Sequence, residues 1–105
     1  MSIAETPKPP YYAVIFTSER SGQDALAYAE TAARMIELAA AQPGFLGIES
    51  AGESRGITVS YWTDLAAINR WKADLDHKEA QRQGRERWYS RYRVRIARVE
   101  ADYGV

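Results

Sequence analysis

The side chain best suited to move a proton near neutral pH is His77, the single histidine of the chain, because the ordinary pKa of imidazole lies in that range. Trp71 lies six residues before it and Trp62 ends an apolar run; indole rings can wall a cavity and contact an aromatic substrate. Tyr12 and Tyr61 carry phenol groups that can donate hydrogen bonds to a phenolate. Each of these residues also fits a structural role in the core or at a helix start. The pattern therefore predicts either a general base beside an aromatic cavity or residues that only support the fold.

The composition narrows the chemistry that these residues can support. The chain of 105 residues contains no cysteine, which excludes a disulfide scaffold, an iron–sulfur cluster, a cysteine-type zinc site and a thiol nucleophile. Basic and acidic residues number 14 each, so the formal net charge is zero and we expect no nucleic-acid partner. Hydrophobic residues make up 46%, as in a globular domain. No apolar run approaches the roughly 20 residues of a membrane span, so we expect no membrane partner and a cytoplasmic location.

The first ten residues differ in composition from the rest of the chain. Residues 1–10 hold three prolines within four positions and show neither the apolar stretch nor the cleavage pattern of a signal peptide. We expect a stiff leader over residues 1–10, extended or disordered. One domain is expected to follow over residues 11–105.

The first half of that domain alternates between strand and helix signals. Tyr11 to Thr17 is rich in aromatic and β-branched residues and predicts a strand, with a turn at residues 18–22. An alanine-rich helix is predicted from a cap at Ser21 to Ala41, where Pro43 and Gly44 stop it. Its buried stripe is expected to be Leu26, Ala29, Ala33, Ile36 and Ala40, widened by Tyr28 and Met35.

The next segments predict a hairpin and a second helix. Phe45 to Ala51 and Ile57 to Trp62 alternate as strands, and the glycines of residues 52–56 suit the connection between them. Thr63-Asp64 caps a helix whose apolar positions are Leu65, Ile68, Trp71 and Leu75.

The last third predicts a short helical piece from Asp76 to about Arg85 and a long strand from Trp88 to Ala101. Within the strand, aromatic or aliphatic residues alternate with arginines at Arg91, Tyr92, Arg93, Val94, Arg95 and Ile96. The alternation shifts at Ala97–Val99, which predicts a bulge or an edge crossing there.

The element order β-α-β-β-α-β is that of the ferredoxin-like sandwich, an α+β fold with a four-stranded antiparallel sheet and both helices on one face. The second face is expected to carry more apolar surface than water would cover, contributed by the first-strand aromatics and by Phe45, Gly47, Glu49, Ile57 and Tyr61. A partner's sheet packed face to face is the simplest cover, so we expect a homodimer.

Four segments, taken in order, resemble the antibiotic biosynthesis monooxygenase family. Residues 42–47, Gln-Pro-Gly-Phe-Leu-Gly after an alanine-rich helix, are similar to its Pro-Gly-aromatic-x-Gly signature, and residues 59–62, Val-Ser-Tyr-Trp, to its third strand. Trp71 with His77 is similar to its second helix, and the run from Gly84 through Trp88-Tyr89 to Tyr92 to its final strand. The resemblance covers residues 11–101.

The resemblance implies a dimeric α+β barrel with a pocket between each sheet and its helices. It implies an oxygenase that needs no metal, haem or flavin, in which a deprotonated phenolic or enolisable substrate donates an electron directly to O₂. On this hypothesis His77 takes the proton and Trp71 and Trp62 wall the cavity, while Arg91 or Tyr12 steadies the anion.

The quinone-forming branch of the family places an Asn, a Trp and a Tyr around the second helix. Trp71 matches the Trp, His77 stands where that Tyr would be, and Ala67 stands at the Asn position with Asn69 nearby. We therefore count Asn69 among the candidate substrate-binding residues.

Two other functions fit the same fold. The haem-degrading members use an Asn on the first strand and a His ten residues after the Trp; here the first strand has no Asn and Gln81 stands at the His position. Haem binding or degradation is thus the weaker alternative. The changed polar residues around Trp71 fit a non-catalytic dimer that binds a small hydrophobic ligand.

A basic stretch closes the sequence. Residues 82–98 hold seven arginines against the single acid Glu86, which fits either an anion-binding surface or a solvated strand face that protects an exposed sheet edge. We favour the second interpretation.

Overall fold

The computed structural model describes residues 2–20, 25–52, 55–74 and 89–105, without the side chains of residues 20, 25–32, 89 and 90. The described elements are β1 (Tyr11–Arg20), α1 (Ala25–Ala40), β2 (Phe45–Gly52), β3 (Arg55–Trp62), α2 (Leu65–Lys72) and β4 (Tyr89–Val99). This order confirms the predicted β-α-β-β-α-β arrangement. The predicted helical piece at residues 76–85, Leu75 and Trp88 lie outside the described residues. None of the described helices combines the length and the apolar character that crossing a membrane requires.

The four strands form one antiparallel sheet in the order β2-β3-β1-β4, the ferredoxin-like topology. Opposed residues in antiparallel strands share a face, so each row of the sheet belongs to one side. We call the side of Trp62 the helix face and the side of Tyr61 the outer face. One row of the helix face consists of Phe45, Trp62, Tyr12 and Arg98.

The buried core lies between the helix face and the two helices. It consists of Val14, Ala39, Trp62, Ala67 and Ile68. Helix α1 contacts mainly β2, and α2 contacts mainly β3. The described parts of the helices therefore cover one half of the sheet, over β2 and β3.

The Pro-Gly turn between α1 and β2 fits tightly against the start of α2. Gly44 has a φ of +89° and its carbonyl accepts a hydrogen bond from the Thr63 amide at 2.9 Å. A Cβ atom added at residue 44 would lie 2.6 Å from the Cβ of Ala67. Asp64 caps α2 as predicted, because its Oδ1 accepts from the Ala67 amide at 2.7 Å. This turn fixes the approach of Phe45 to the core.

Two predictions about strand ends were wrong. Residues 18–20, predicted as part of a turn, belong to β1, and Ser18 is buried between Gly56 and Tyr92 in the sheet. Of the bulge or edge crossing predicted at residues 97–99, the bulge is absent from the described strand: pairing with β1 is continuous there, and the irregularity falls between Glu19 and Arg20. β4 is an edge strand of the sheet. Arg98 lies on the helix face, whereas Arg91, Arg93 and Arg95 lie on the outer face. Its side chain can still reach water because β4 is an edge strand.

The face predicted for Phe45 was also wrong. Strict alternation would put Phe45 with Gly47 and Glu49 on the outer face. The register shifts between Phe45 and Gly47, so that Phe45 pairs with Trp62 and lies on the helix face. An extra residue in one strand turns the side chains before it to the other side of the sheet.

The helical stripes were predicted only in part. In α1, Ala33 and Ala40 are exposed and Ala39 is 1% exposed. A helix made of alanines carries little contrast between its faces, so its periodicity does not fix its rotation. In α2, Ile68 is buried as expected but Leu65 is 48% exposed, since it stands at the first helical position, before the helix turns onto the sheet.

The leader contacts the outer face of the sheet. The Ala4 amide donates to Oε2 of Glu49 at 2.9 Å, and the Thr6 hydroxyl donates to the Tyr11 hydroxyl at 3.0 Å. A Cβ atom on Gly47 would lie 2.8 Å from the Cβ of Ala4. The glycine that ends the Pro-Gly-aromatic-x-Gly segment thus allows the leader to pass close over β2.

Candidate functional site

An aromatic cluster forms the centre of the helix face. The rings of Trp62 and Trp71 stack with centroids 5.1 Å apart and planes at 29°, and Phe45 meets Trp62 edge to face at 5.5 Å. The Trp62 indole nitrogen donates to the Ser60 hydroxyl at 2.9 Å. Tyr12 is half-buried and packs against the same cluster. Three candidate site residues, Trp62, Trp71 and Tyr12, therefore lie in one cluster.

Trp62 is closed off from any ligand, whereas Trp71 is not. Trp62 is 0% exposed, so its contact with Ser60, Phe45 and Trp71 makes it part of the core. Trp71 is only partly buried. Of the pair, Trp71 is the ring whose edge can contact a substrate.

An apolar strip lies on the same helix face, on β4, with β1 between it and Trp62. Val94 and Ile96 are 37% and 43% exposed, although their strand partners Phe16 and Val14 belong to the side on which the core packs. The described helices contact mainly β2 and β3, which explains why residues on β4 remain accessible. Burying this strip under an apolar molecule is favourable, at about 25 cal/mol for each Å² removed from water.

Arg98 shares the helix face with this strip, which residue type alone did not indicate. Arg98 pairs with Tyr12 and is next but one to Ile96 along β4, so all three share the helix face. It forms a salt bridge with Glu100 at 3.1 Å and stays half-exposed. The strand alternation, combined with the β1–β4 register, is the signal that would have found it.

Arg91, the predicted cation, lies elsewhere. It is exposed and pairs with Glu19 on the outer face. Glu19 is seven residues from Tyr12 along β1, which separates the two positions by about 23 Å at the usual rise of a strand. The structure does not bring Arg91 together with the tryptophans.

Tyr61 also lies on the outer face, across the sheet from the tryptophans. Its hydroxyl donates to Oε1 of Glu49 at 2.6 Å, and its ring meets Tyr11 edge to face at 5.8 Å. Burial, together with the hydrogen bond to Glu49, raises the pKa of Tyr61 to about 12. The Tyr61 phenol therefore keeps its proton at neutral pH and donates it in the hydrogen bond to Glu49, and it is not placed to meet a substrate on the helix face.

Tyr11 forms a second phenol–carboxylate pair on that face. Its hydroxyl donates to Oδ2 of Asp102, and this hydrogen bond is the main cause that raises the pKa of Tyr11 above its usual value. With Thr6 on one side and Asp102 on the other, Tyr11 ties both chain ends to the sheet.

The remaining predicted residues add little to the site in the described structure. Asn69 is exposed on α2, where its backbone carbonyl accepts from Ala73 at 3.1 Å. His77 lies outside the described residues. Among the residues that are described, no three His, Asp or Glu side chains gather as a metal site would need.

Comparison with known families agrees with this geometry. Residues 10–83 match the model of the antibiotic biosynthesis monooxygenase family. The chain belongs to this family. The uncharacterized protein YqjZ of Bacillus subtilis (strain 168) is 54% identical to this chain over 100 residues, covering 93% of this chain and 87% of YqjZ.

Solved structures share the fold of this family member at low sequence identity. Protein SO0527 from Shewanella oneidensis superposes with a TM-score of 0.77 at 12% identity, covering 95% of this chain and 100% of that one. SnoaB from Streptomyces nogalater, a cofactor-independent oxygenase, superposes with a TM-score of 0.71 at 18% identity, covering 92% and 98% of the two chains. Both confirm the ferredoxin-like fold.

Proposed function

We propose that this protein is a cofactor-independent monooxygenase that oxidises a small aromatic or enolisable substrate with O₂. The observation that carries the proposal is the accessible apolar strip of Val94 and Ile96, which shares the helix face of the sheet with the stacked tryptophans. A flat aromatic molecule laid on this strip gains apolar contact along its face. A substrate that extends from the strip across β1 would reach the partly buried Trp71. Membership of the family and the fold shared with a cofactor-independent oxygenase support the same class of reaction.

The reaction needs a base and a dry apolar surface. The base removes a proton from an acidic carbon or hydroxyl of the substrate, and the anion passes one electron to O₂. The substrate radical and superoxide then combine into a peroxide, which loses water. In an anthrone, this converts the ring methylene into a carbonyl: one oxygen atom stays in the product and the other leaves as water, with the substrate supplying all the electrons.

We assign the proton transfer to His77, whose ordinary pKa of about 6.5 suits a base near neutral pH. The phenol of Tyr12 and the guanidinium of Arg98, neighbours in one row of the helix face, are assigned to the substrate anion. Trp71 walls the substrate, and Trp62 holds Trp71 in place. We expect the enzyme to act as a homodimer in the cytoplasm.

The direct test is O₂ uptake by the purified protein with a panel of anthrones and quinols. We expect turnover with at least one substrate, incorporation of one atom from isotopically labelled O₂, and a rate that rises with pH through the histidine range. His77→Ala should lose at least a hundredfold in kcat, in line with the usual contribution of a general base. Arg70→Ala, an exposed change on α2, is the matched control and should keep full activity.

A non-catalytic hydrophobic ligand binder of the same fold is the second candidate. Its support is that Trp62 is fully buried and Tyr61 is bonded to Glu49 on the other face, which leaves few polar groups near the strip. Quenching of Trp71 fluorescence by an anthraquinone, without O₂ uptake from any substrate, would favour this candidate. Equal rates in the wild type and His77→Ala would leave the oxygenase but remove His77 from its mechanism.

A further inference from the structure

A buried serine is bonded to the aromatic cluster of the helix face. Ser60 stands two residues before Trp62 on β3, so both side chains leave the strand on the same side. Its neighbours in the row, Val14 on β1 and Ile48 on β2, are aliphatic. Ser60 is only 3% exposed, whereas serine is mostly found at exposed positions. An aliphatic residue would continue this row without burying a hydroxyl, so what the serine adds here is a hydrogen-bonding group.

That group fixes the orientation of Trp62. The Ser60 hydroxyl accepts from Nε1 of Trp62 at 2.9 Å, and the Trp62 ring is fully buried in the apolar core. An indole has one hydrogen-bond donor and no acceptor, and burying that donor without a partner is costly. The orientation that points Nε1 at Ser60 is therefore favoured over orientations that turn the donor into the apolar core.

Trp62 in turn orients the ring of Trp71. Helix α2 is anchored one turn before Trp71 by Ala67 and Ile68, both fully buried, which fixes the backbone position of Trp71 but not the direction of its ring. The direction of the ring is set by the stack on Trp62. Because protein interiors are close-packed, a tilt of Trp62 has to be followed by Trp71. A hydrogen bond on β3 thus acts on a partly buried ring of α2.

We propose that Ser60 is a positioning residue for the substrate, because its hydrogen bond to Trp62 holds the ring of Trp71 in the orientation that the substrate contacts. Ser60 is itself too buried to touch the substrate. The inference rests on the proposed function for the contact between Trp71 and the substrate. The hydrogen bond and the stacked rings from which it is argued do not depend on oxygenase activity.

The test is the variant Ser60→Ala, which removes the acceptor and leaves a side chain that fits the same space. We expect it to lose most of the near-ultraviolet circular dichroism of the stacked indoles and to keep the far-ultraviolet spectrum. Calorimetric titration with a water-soluble anthraquinone sulfonate should show an affinity lower by about threefold to tenfold, the range of one aromatic contact. With an oxidised substrate, KM should rise by the same factor while kcat changes less than about threefold, because the contact serves binding.

Three further variants make the test specific. Ser60→Thr keeps the hydroxyl and should restore both the dichroism and the affinity to within about twofold of the wild type. Thr58→Val is the matched control: it removes a hydroxyl from the same face of β3, on the side of Ser60 away from Trp62, and should change neither quantity. Trp71→Leu removes the ring that Ser60 is argued to position, so Ser60→Ala should cost no further affinity in that background.

The outcomes separate a positioning role from a purely structural hydrogen bond. A Ser60→Ala protein that only melts at a lower temperature, with the dichroism and anthraquinone affinity of the wild type, would overturn the proposal. So would an undiminished effect of Ser60→Ala in the Trp71→Leu background, or a wild-type protein that does not bind the anthraquinone.

Two results keep the test decisive if one arm fails. Ser60→Cys retains a weak acceptor of similar size and should give the same changes in smaller measure, so it replaces Ser60→Ala if that variant does not fold; a Ser60→Cys protein identical to the wild type in both readouts would then contradict the proposal. Anthraquinone binding without O₂ uptake would contradict the oxygenase, whereas weaker binding by Ser60→Ala would still support the positioning role.

Discussion

Gly44 is the position where a single methyl group should disturb the fold most. The residue has a φ of +89°, in the region that costs an L-residue about 1–2 kcal/mol. The added Cβ of Gly44→Ala would lie 2.6 Å from Ala67 Cβ and 2.7 Å from Thr63 Oγ1. Contacts this short force the neighbours apart, at a cost of about 1–3 kcal/mol for an overpacked site. Alanine also lowers the conformational entropy of the unfolded chain, which offsets about 0.4–1 kcal/mol of this loss in stability.

We therefore expect Gly44→Ala to lower the free energy of unfolding by about 1–4.5 kcal/mol, which for a domain of this size lowers the Tm by roughly 5 °C or more. Urea denaturation followed by tryptophan fluorescence measures the loss directly, since Trp62 reports on the core that Phe45 packs against. Gly104→Ala is the matched control, because nothing lies within 4 Å of the position its Cβ would take; it should change stability by less than about 0.5 kcal/mol.

A double-mutant cycle separates the strain in the backbone from the steric contact. Ala67→Gly removes the methyl group that Gly44→Ala would meet, at the expense of about 1 kcal/mol in helix propensity. If contact contributes as argued, Gly44→Ala should cost at least 1 kcal/mol less in the Ala67→Gly background. A loss below about 1 kcal/mol for Gly44→Ala alone would refute the argument that this turn is closed by steric fit.

Three further predictions concern the outer face of the sheet and the cap of helix α2. Folding raises the pKa of Tyr61 from about 10 to about 12, so its contribution to stability is present below pH 10 and is lost as the pH rises from about 10 to about 12. Tyr61→Phe should therefore flatten the fall in stability over this pH range and remove the late tyrosinate absorbance step. The control Tyr103→Phe should do neither. Gly47→Ala should destabilise by about 1–3 kcal/mol in urea titrations, and less in an Ala4→Gly background, because the two Cβ atoms would meet at 2.8 Å. Asp64→Ala should cost about 1 kcal/mol of thermal stability by removing the helix cap, and Asp64→Asn much less.

The fold could be predicted from the sequence because its elements carry strong local signals. The β-branched and aromatic runs of β1 and β3, the Asp64 cap and the Pro-Gly stop of the first helix each indicate one structure. The rotation of α1 could not be predicted, since alanines at positions 33, 39 and 40 are nearly equivalent as local signals and only tertiary packing selects Ala39.

The candidate site was predictable only in part, because faces depend on register. Trp62, Trp71 and Tyr12 lie in one cluster on the helix face. Tyr61 and Arg91 were grouped with them by residue type, yet strand alternation puts both on the outer face. Residue type indicates what a side chain can do, but the pairing of strands decides which side chains do it together.

The outer face shows how the leader limits the surface left for a second copy. Tyr11 and Tyr12 are neighbours in sequence, but Tyr12 packs on the core while Tyr11 bonds to Thr6 and Asp102. The chain ends consequently cover the outer face around Tyr11, which is 4% exposed, whereas Ile57 at the other end of the sheet is 46% exposed. A partner sheet that packs here must either displace the leader or shift toward Ile57. The second arrangement keeps every hydrogen bond of the leader, so the expected dimer contact should centre on the Ile57 end of the outer face.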